Sequence, residues 1–451
     1  MPDDPASSIL PPVHPPPSPT LVLSCLSRLT AFFFPPNVLV DLRLPAPDLC
    51  ASTSSKPDAV QVDKEEGEED EFELNYARGW LERVVAIGAR KLARGEEGAE
   101  EWEMAVDEAS GLIAVLSGPS AQGSSSKTYL LPTPLLPVTD PLSPSLPSDA
   151  PLPTLSLTIR DTTLLSNSTG FRTWGSSPLL AQRLTSSPSS FFPLLTSSTS
   201  SLSESPRRLR VLELGSGTGL VGLAVAAAFS RLVSSRPSQV EDPLVTLSDG
   251  GSEPAVLDNL AVNVSANSST LDNVEVQIRL LDWRDYLPSP EKGKGKEVDE
   301  EDKYDVILAA DVAYEPGMAE ALHAAVAALL RFPSSPPLDE PSVLSSSNLP
   351  RETSYHPPAF HLIIPLRRTH TLETAAVSRL FPPPHPPAPL DPSLLHRDPA
   401  SNRTFRLVSR SLEEVTGPDG FGGGARRGRA RPDGEVRYRI FRVEWEEVDT
   451  H

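Results

Sequence analysis

Glu213, Asp249, Asp282 and Asp311 each close, or nearly close, a short apolar run, as expected of carboxylates delivered to one mouth by the ends of buried strands. The first stands in RVLELGSGTGLVGLAVAAA (Arg210 to Ala228), where Val211, Leu212 and Leu214 make a strand. Gly215, Gly217 and Gly219 then let the backbone turn sharply and come close to a ligand, and an apolar helix from Leu220 points its N-terminus at that ligand. Gly217, Gly219 and Gly222 also satisfy G-x-G-x-x-G, so a dinucleotide-dependent oxidoreductase competes here with an S-adenosylmethionine (SAM) enzyme. Glu213, two residues before the first glycine, suits a cationic ligand end such as the ammonium of SAM better than a pyrophosphate.

The other three acids extend the pattern. Asp249 in VTLSDG ends a strand and suits vicinal ribose hydroxyls, with a turn or helix cap as its plainer use. Asp282 and Trp283 in LLDW offer an acceptor for an adenine amino group and an indole to pack on the base, or a capped strand end with a core tryptophan. In YDVILAADVAYEP the buried run ends in Ala310, counted with the cofactor-binding set, and Asp311, with Tyr314 three residues on. Methyl transfer from a sulfonium is an in-line displacement, so a carboxylate and a phenol at such a mouth would orient a nucleophile and narrow its channel. A lysine, of ordinary pKa ~10.4, must also lose a proton before it can attack. Upstream, Trp174 in GFRTWGSSPLLAQRL is placed to close over the cofactor, and Ser176 or Ser177 reads as the N-cap of a helix with Pro178 at its first position.

The elements that position these residues alternate. Strands read at 210–214, 244–248, 274–281, 304–309 and 360–365, helices at 220–232, 255–266 and 318–332, and two late strands at 404–415 and 436–445. Five strands separated by helices and closed by an antiparallel hairpin describe an α/β, Rossmann-like, seven-strand SAM-dependent methyltransferase sheet with an antiparallel last strand. Residues 155–451 form that domain. Runs rich in proline, serine or charge at 234–243, 288–302, 333–351 and 382–403 read as disordered surface insertions, with Lys292, Lys294 and Lys296 solvated. Residues 1–129 read as a helical or mixed module: an apolar run at 20–34, an acidic tract at Asp63 to Glu73 taken as a solvated loop, and helical spacing at 76–94. A proline-rich linker over 130–154 joins the two.

The chain has 451 residues, 50 prolines and a formal net charge of −20. That field repels phosphate, so neither stable nucleic-acid binding nor an anionic membrane surface is expected. Two cysteines, Cys25 and Cys50, are too few for a zinc cage or a disulfide framework, and no metal is expected. The acidic opening MPDDPASS lacks the character of an export or mitochondrial leader, and the 20–34 run falls short of the about 20 apolar residues a membrane span needs, so a cytosolic or nuclear protein follows, with the cytoplasm expected; a monomer is expected as well. The one compact basic patch, GFGGGARRGRAR over 420–431, reads as a glycine-arginine insertion or as a grip on an acidic surface or RNA.

With these motifs in order, the chain resembles the seven-strand family 16 protein-lysine methyltransferases: Glu213 to Gly219 is similar to the SAM loop, Leu281-Asp282-Trp283 to the adenine-side motif, and Asp311 to Tyr314 to the D-x-x-Y signature. Thr173-Trp174-Gly175-Ser176-Ser177 is similar to a stretch in a fungal branch that methylates elongation factor 2. The resemblance covers residues 155–445 and implies SAM as cofactor and elongation factor 2 as protein partner. It departs at 107–122, where DEASGLIAVLSGPSAQ stands in place of the branch's arginine-containing motif. A nicotinamide oxidoreductase, a methyltransferase for RNA or a small molecule, and a binding module without turnover are the other classes the fold can serve. Val312 and Ala313 stand where many nucleic-acid amino-group enzymes carry two prolines.

Overall fold

The computed structural model describes residues 10–11, 17–33, 38–43, 64–96, 98–116, 124–132, 154–162, 169–192, 208–233, 242–250, 254–288, 295–333, 357–367, 370–385, 391–426 and 429–448. In chain order the elements are α1 (Pro19–Phe33), β1 (Val38–Asp41), α2 (Lys64–Arg94), α3 (Ala99–Leu116), β2 (Ser125–Pro132) and β3 (Thr154–Asp161). Next come α4 (Ser176–Ser186), α5 (Pro188–Phe191), β4 (Arg210–Leu214), α6 (Leu220–Val233), β5 (Leu244–Asp249), α7 (Pro254–Ala266) and β6 (Glu275–Leu280). The chain ends with β7 (Val306–Ala310), α8 (Met318–Leu329), β8 (Ala359–Pro365), α9 (Thr371–Leu380), β9 (His396–Arg397), β10 (Thr404–Arg426) and β11 (Arg429–Glu447).

These strands form one sheet in the order β3-β2-β1-β11-β8-β7-β4-β5-β6, with β10 on β11. The five from β8 to β6 are mutually parallel. Their central members β4, β5 and β7 are buried almost throughout, as their unbroken apolar runs require. The last strand, β11, runs antiparallel to both β8 and β10 and lies between them. Beyond it, β1 to β3 lie over α4, α6 and α7. This double cover explains α6: a helix buried on nearly every side has no use for a polar face, and its sequence LVGLAVAAAF has none. On the opposite face, α8 and α9 pack on β7 and β8 with an aromatic group that includes Phe360, Phe381, Phe405 and Trp445. A separate cluster around Trp80, Trp102, Leu26 and Leu29 joins α1, α2 and α3, and α1 and α3 touch β10.

Several expectations need correction. Residues 64–73 of the acidic tract are helical, not a loop, because Glu and Lys are good helix formers and no proline interrupts the run to Arg94. Their side chains lie outside the described set. Neither Ser176 nor Ser177 is the N-cap of α4: the helix starts at Ser176 after Gly175, and the cap is remote, since the Asp311 carboxylate accepts from Ser176 N at 3.1 Å. Residues 295–302 and 391–403 are ordered parts of the fold. Lys296 N donates to Asp285 O at 3.1 Å, and β9 pairs with β10. The final hairpin is longer than its apolar ends suggest. It continues through the glycine-rich stretch to Arg426 and resumes at Arg429, so the patch at 420–431 is largely strand in its backbone. Lys292, Lys294, Cys50 and the segments 133–153, 234–241 and 334–351 lie outside the described residues, while Cys25 is buried in the cluster of α1 to α3.

Candidate active site

The ends of β4, β5 and β7 converge on the glycine loop. Gly215, Gly217 and Gly219 all take positive φ, 68°, 52° and 86°. At all three the need is also one of space, a Cβ on Gly219 running into the Leu260 side chain. A Cβ on Gly215 would lie 2.8 Å from Val312 Cγ1 and 3.2 Å from the Trp283 ring, and one on Gly217 would lie 3.2 Å from the carbonyl of Gly170. The loop is tied to β5 as well: Ser216 N donates to Ser248 O at 2.8 Å, and Gly217 N to Asp249 Oδ2 at 3.0 Å. Asp249 thus shapes the loop while standing at the strand end where the sequence placed it.

Glu213 turns inward. Its Oε2 accepts from Gly222 N, in the first turn of α6, at 3.0 Å, and burial pushes its pKa up to about 8 against the pull of that bond and of Ser216. Gly222 has no room for a side chain because Leu247 and the Glu213 carboxylate occupy the space. The third glycine of the apparent dinucleotide pattern therefore serves packing.

Asp311 is one of four described non-glycine residues at positive φ, at 58°. Aspartate tolerates this left-handed conformation better than most side chains, and strain of this kind collects at functional sites. Its N donates to Ile363 O in β8 at 3.1 Å, and its Oδ2 holds Ser176 N. Ala310 is buried just before it and Tyr314 is half-buried beyond it. Trp174 lies two residues ahead of that capped serine, with the Arg367 guanidinium 5.8 Å from its ring centre.

Trp283 reaches the loop by packing on Gly215 beside Val312, and its Nε1 is buried without a protein partner among the described residues. Asp282 is committed differently. Its two oxygens accept from Arg284 N, Nε and Nη2 at 2.7–3.1 Å, and that guanidinium holds its carboxyl below the usual range. The sequence-based site therefore comes together around Glu213, Asp249, Trp283 and Asp311, with Asp282 on the exposed side.

Sequence reading missed a polar layer beneath the loop: Lys127, Asp161, Thr173 and Thr218, and the amides Asn259 and Asn263 of α7 and Asn267 just past its end. The signal for the latter was present, since asparagines four apart share one helix face.

Residues 152–336 match the family described as lysine methyltransferase. Protein-lysine N-methyltransferase EFM2 of Saccharomyces cerevisiae is 33% identical over 162 residues, covering 36% of this chain and 34% of that protein. Protein-lysine N-methyltransferase rrg1 of Schizosaccharomyces pombe is 30% identical over 131 residues, covering 29% and 33%. The chain thus spans about a third of the length of the curated relatives it matches. A putative methyltransferase from Thermoplasma acidophilum is similar in structure with a TM-score of 0.27 at 13% identity, over 52% of this chain and 68% of that one.

Proposed function

We propose that the chain transfers the methyl group of SAM to a lysine side chain of a protein, with elongation factor 2 as the substrate, acting as a monomer in the cytoplasm. What supports this most is Asp311, strained at the end of β7, bonded to the start of α4 and linked through Val312 to the glycine loop. The loop fits the cofactor: Gly215 and Gly217 take left-handed conformations with no room for a Cβ beside Val312, Trp283 and Gly170, which leaves bare backbone at the N-terminus of α6. SAM supplies an electrophilic methyl group on a positively charged sulfur. The chain's own residues then bind, aim and dehydrate. Gly215, Gly217, Gly219 and Ala310 line the cradle, Asp249 takes the ribose hydroxyls, Trp283 packs on the base and Trp174 covers the opening. Glu213 sets the loop from below and favours a cationic ligand end once ionised.

Asp311 accepts a hydrogen bond from the incoming amine and favours the positive charge the nitrogen carries after transfer, while Tyr314 narrows the approach. The activity for which both curated relatives are named supports a protein lysine as acceptor. The net charge of −20 disfavours nucleic acid, and no described helix is long and apolar enough to cross a membrane.

Incubation with labelled SAM and purified elongation factor 2, followed by mass spectrometry, tests the assignment. Label on a lysine of that factor is expected, with S-adenosylhomocysteine binding by calorimetry and NADH giving no heat. Asp311→Asn keeps an acceptor for Ser176 N but loses the charge. It should lower transfer at least about a hundredfold, with S-adenosylhomocysteine affinity held within about threefold. Full activity in that variant, or label only in RNA or small molecules, would refute the reading of the mouth.

A further inference from the structure

Beneath the glycine loop lies a buried charge pair that the proposed chemistry does not use. Lys127 in β2 and Asp161 at the end of β3 are 4% and 3% exposed, and Nζ meets Oδ2 at 2.8 Å. Coulomb attraction seldom repays the dehydration of a pair this deep, so the use made of the second oxygen matters. Oδ1 accepts from Thr173 twice, from N at 3.0 Å and from Oγ1 at 2.8 Å. Having given its proton to the carboxylate, the Thr173 hydroxyl accepts from Thr218 Oγ1, 2.8 Å away. Thr218 stands between Gly217 and Gly219, and its carbonyl is held by Asn263 Nδ2 at 2.9 Å.

The chain from Thr173 to Ser176 is therefore fastened at both ends by carboxylates. Asp161 holds Thr173 and Asp311 holds Ser176. Trp174 sits between the two fastenings. The same Asp161 reaches the glycine loop through Thr173 and Thr218, so one ion pair fixes two walls of the cradle at once.

We propose that Asp161, held by Lys127, is a positioning residue for the cofactor cradle, setting the glycine loop through Thr218 and Trp174 through Thr173; this rests on the reading of that loop as the SAM site. Lys127 fixes the carboxylate's orientation, and the two hydroxyls carry it to the loop.

Asp161→Asn would strand the Lys127 charge in the interior and risks the fold, so the primary variant is Thr173→Val. It keeps shape and the backbone N–H bond to Asp161 while removing the hydroxyl link. The KM for SAM and the Kd for S-adenosylhomocysteine should rise about tenfold, with kcat within about twofold. Thr173→Ser should restore both. In a double-mutant cycle with Thr218→Val the two affinity losses should fall short of additive by about threefold or more. Amide hydrogen exchange without any ligand should show faster exchange over Ser216–Gly219 in Thr173→Val. A lowered unfolding midpoint with unchanged KM, Kd and loop exchange would leave the network a purely structural one and overturn the proposal. Faster loop exchange in a protein whose wild type binds no S-adenosylhomocysteine would overturn the cofactor reading instead, because the network would still govern the loop.

Discussion

The parallel core strands and the outer strands β1 to β3 satisfy their backbones by different means. β4, β5 and β7 have a strand on either side, and their apolar residues meet a helix layer on each face. β3 has a strand on one side only. Along its other edge amides of α7 and of the residue that follows it act in place of a neighbour: Asn267 bonds both N and O of Thr158 at 2.8 Å, and Asn263 bonds N and O of Arg160 at 2.8 and 3.1 Å. Asn259 adds a further bond to Arg160 O at 3.1 Å. An exposed edge is thus closed without a partner strand. The difference carries a consequence for the site. Burial holds the core strands on both faces, whereas the outer strands bury one face, with Tyr129, Leu131, Leu157 and Ile159 in the same core, and close their edge with a few side chains, one of which, Asn263, also holds the glycine loop by Thr218 O. Loosening the outer sheet should loosen the cradle, while loosening core packing elsewhere should not.

The largest expected effect tests the core side of this contrast. Glu213, with its pKa raised from an ordinary 4.5 to about 8, keeps its proton in the folded chain over a range in which the unfolded chain has lost it. Its contribution to stability is complete below about pH 4.5 and is lost as pH rises to about 8. Buried His323 and His361, lowered to about 3, and His396, lowered to about 4, act in the opposite sense. They contribute fully above their ordinary 6.5 and lose that contribution as the solution becomes more acid. Glu213→Gln should therefore flatten the alkaline limb of a thermal-unfolding pH profile, by a few kcal/mol between pH 5 and 8, and leave the acid limb in place. An unchanged alkaline limb would mean that Glu213 is ionised in the folded chain.

The next effect belongs to the outer sheet. Asn263→Ala removes three bonds at a fully buried position and should cost about 3 kcal/mol in urea unfolding, with weaker S-adenosylhomocysteine binding because Thr218 O loses its donor. Asn259→Ala, which removes one bond to a carbonyl that Asn263 also reaches, should cost about 1 kcal/mol and leave binding unchanged. Equal losses in the two variants, or no change of affinity in the first, would separate the outer sheet from the cradle.

How much of this was legible follows the same division. The core strands announce themselves because two-sided burial demands continuous apolar runs such as VILAA, and the loop does so because left-handed turns and close approach both select glycine. The outer strands do not. VLVD is four residues long, and SSKTYLLP and TLSLTIRD mix polar and apolar residues amid proline-rich surroundings. Their edge partner, moreover, comes from a helix about a hundred residues later, which no local pattern records. The α4 cap was misread for a like reason: Asp311, 135 residues away from Ser176, does what the local serines were expected to do. In the hairpin, cross-strand pairing reaches Phe421 and, after an irregularity over 422–424, resumes at Ala425, in a glycine-rich stretch whose composition argues against strand.

The smallest effect concerns the adenine side, where Asp282 and Trp283 stand next to each other but are held differently. The Asp282–Arg284 pair is open to solvent, with side chains 35% and 73% exposed, so water screens it and its share of stability is small. Arg284→Ala should change unfolding free energy by less than about 0.5 kcal/mol. Trp283, packed on Gly215, is the contact that loop and base would share, so Trp283→Ala should weaken S-adenosylhomocysteine binding about tenfold while Arg284→Ala alters it less than about twofold. The two residues can thus be told apart by calorimetry alone. A marked tightening in Arg284→Ala would mean that the guanidinium competes with the base for the Asp282 carboxylate, and the acid would then regain the adenine-side role expected of it from the sequence.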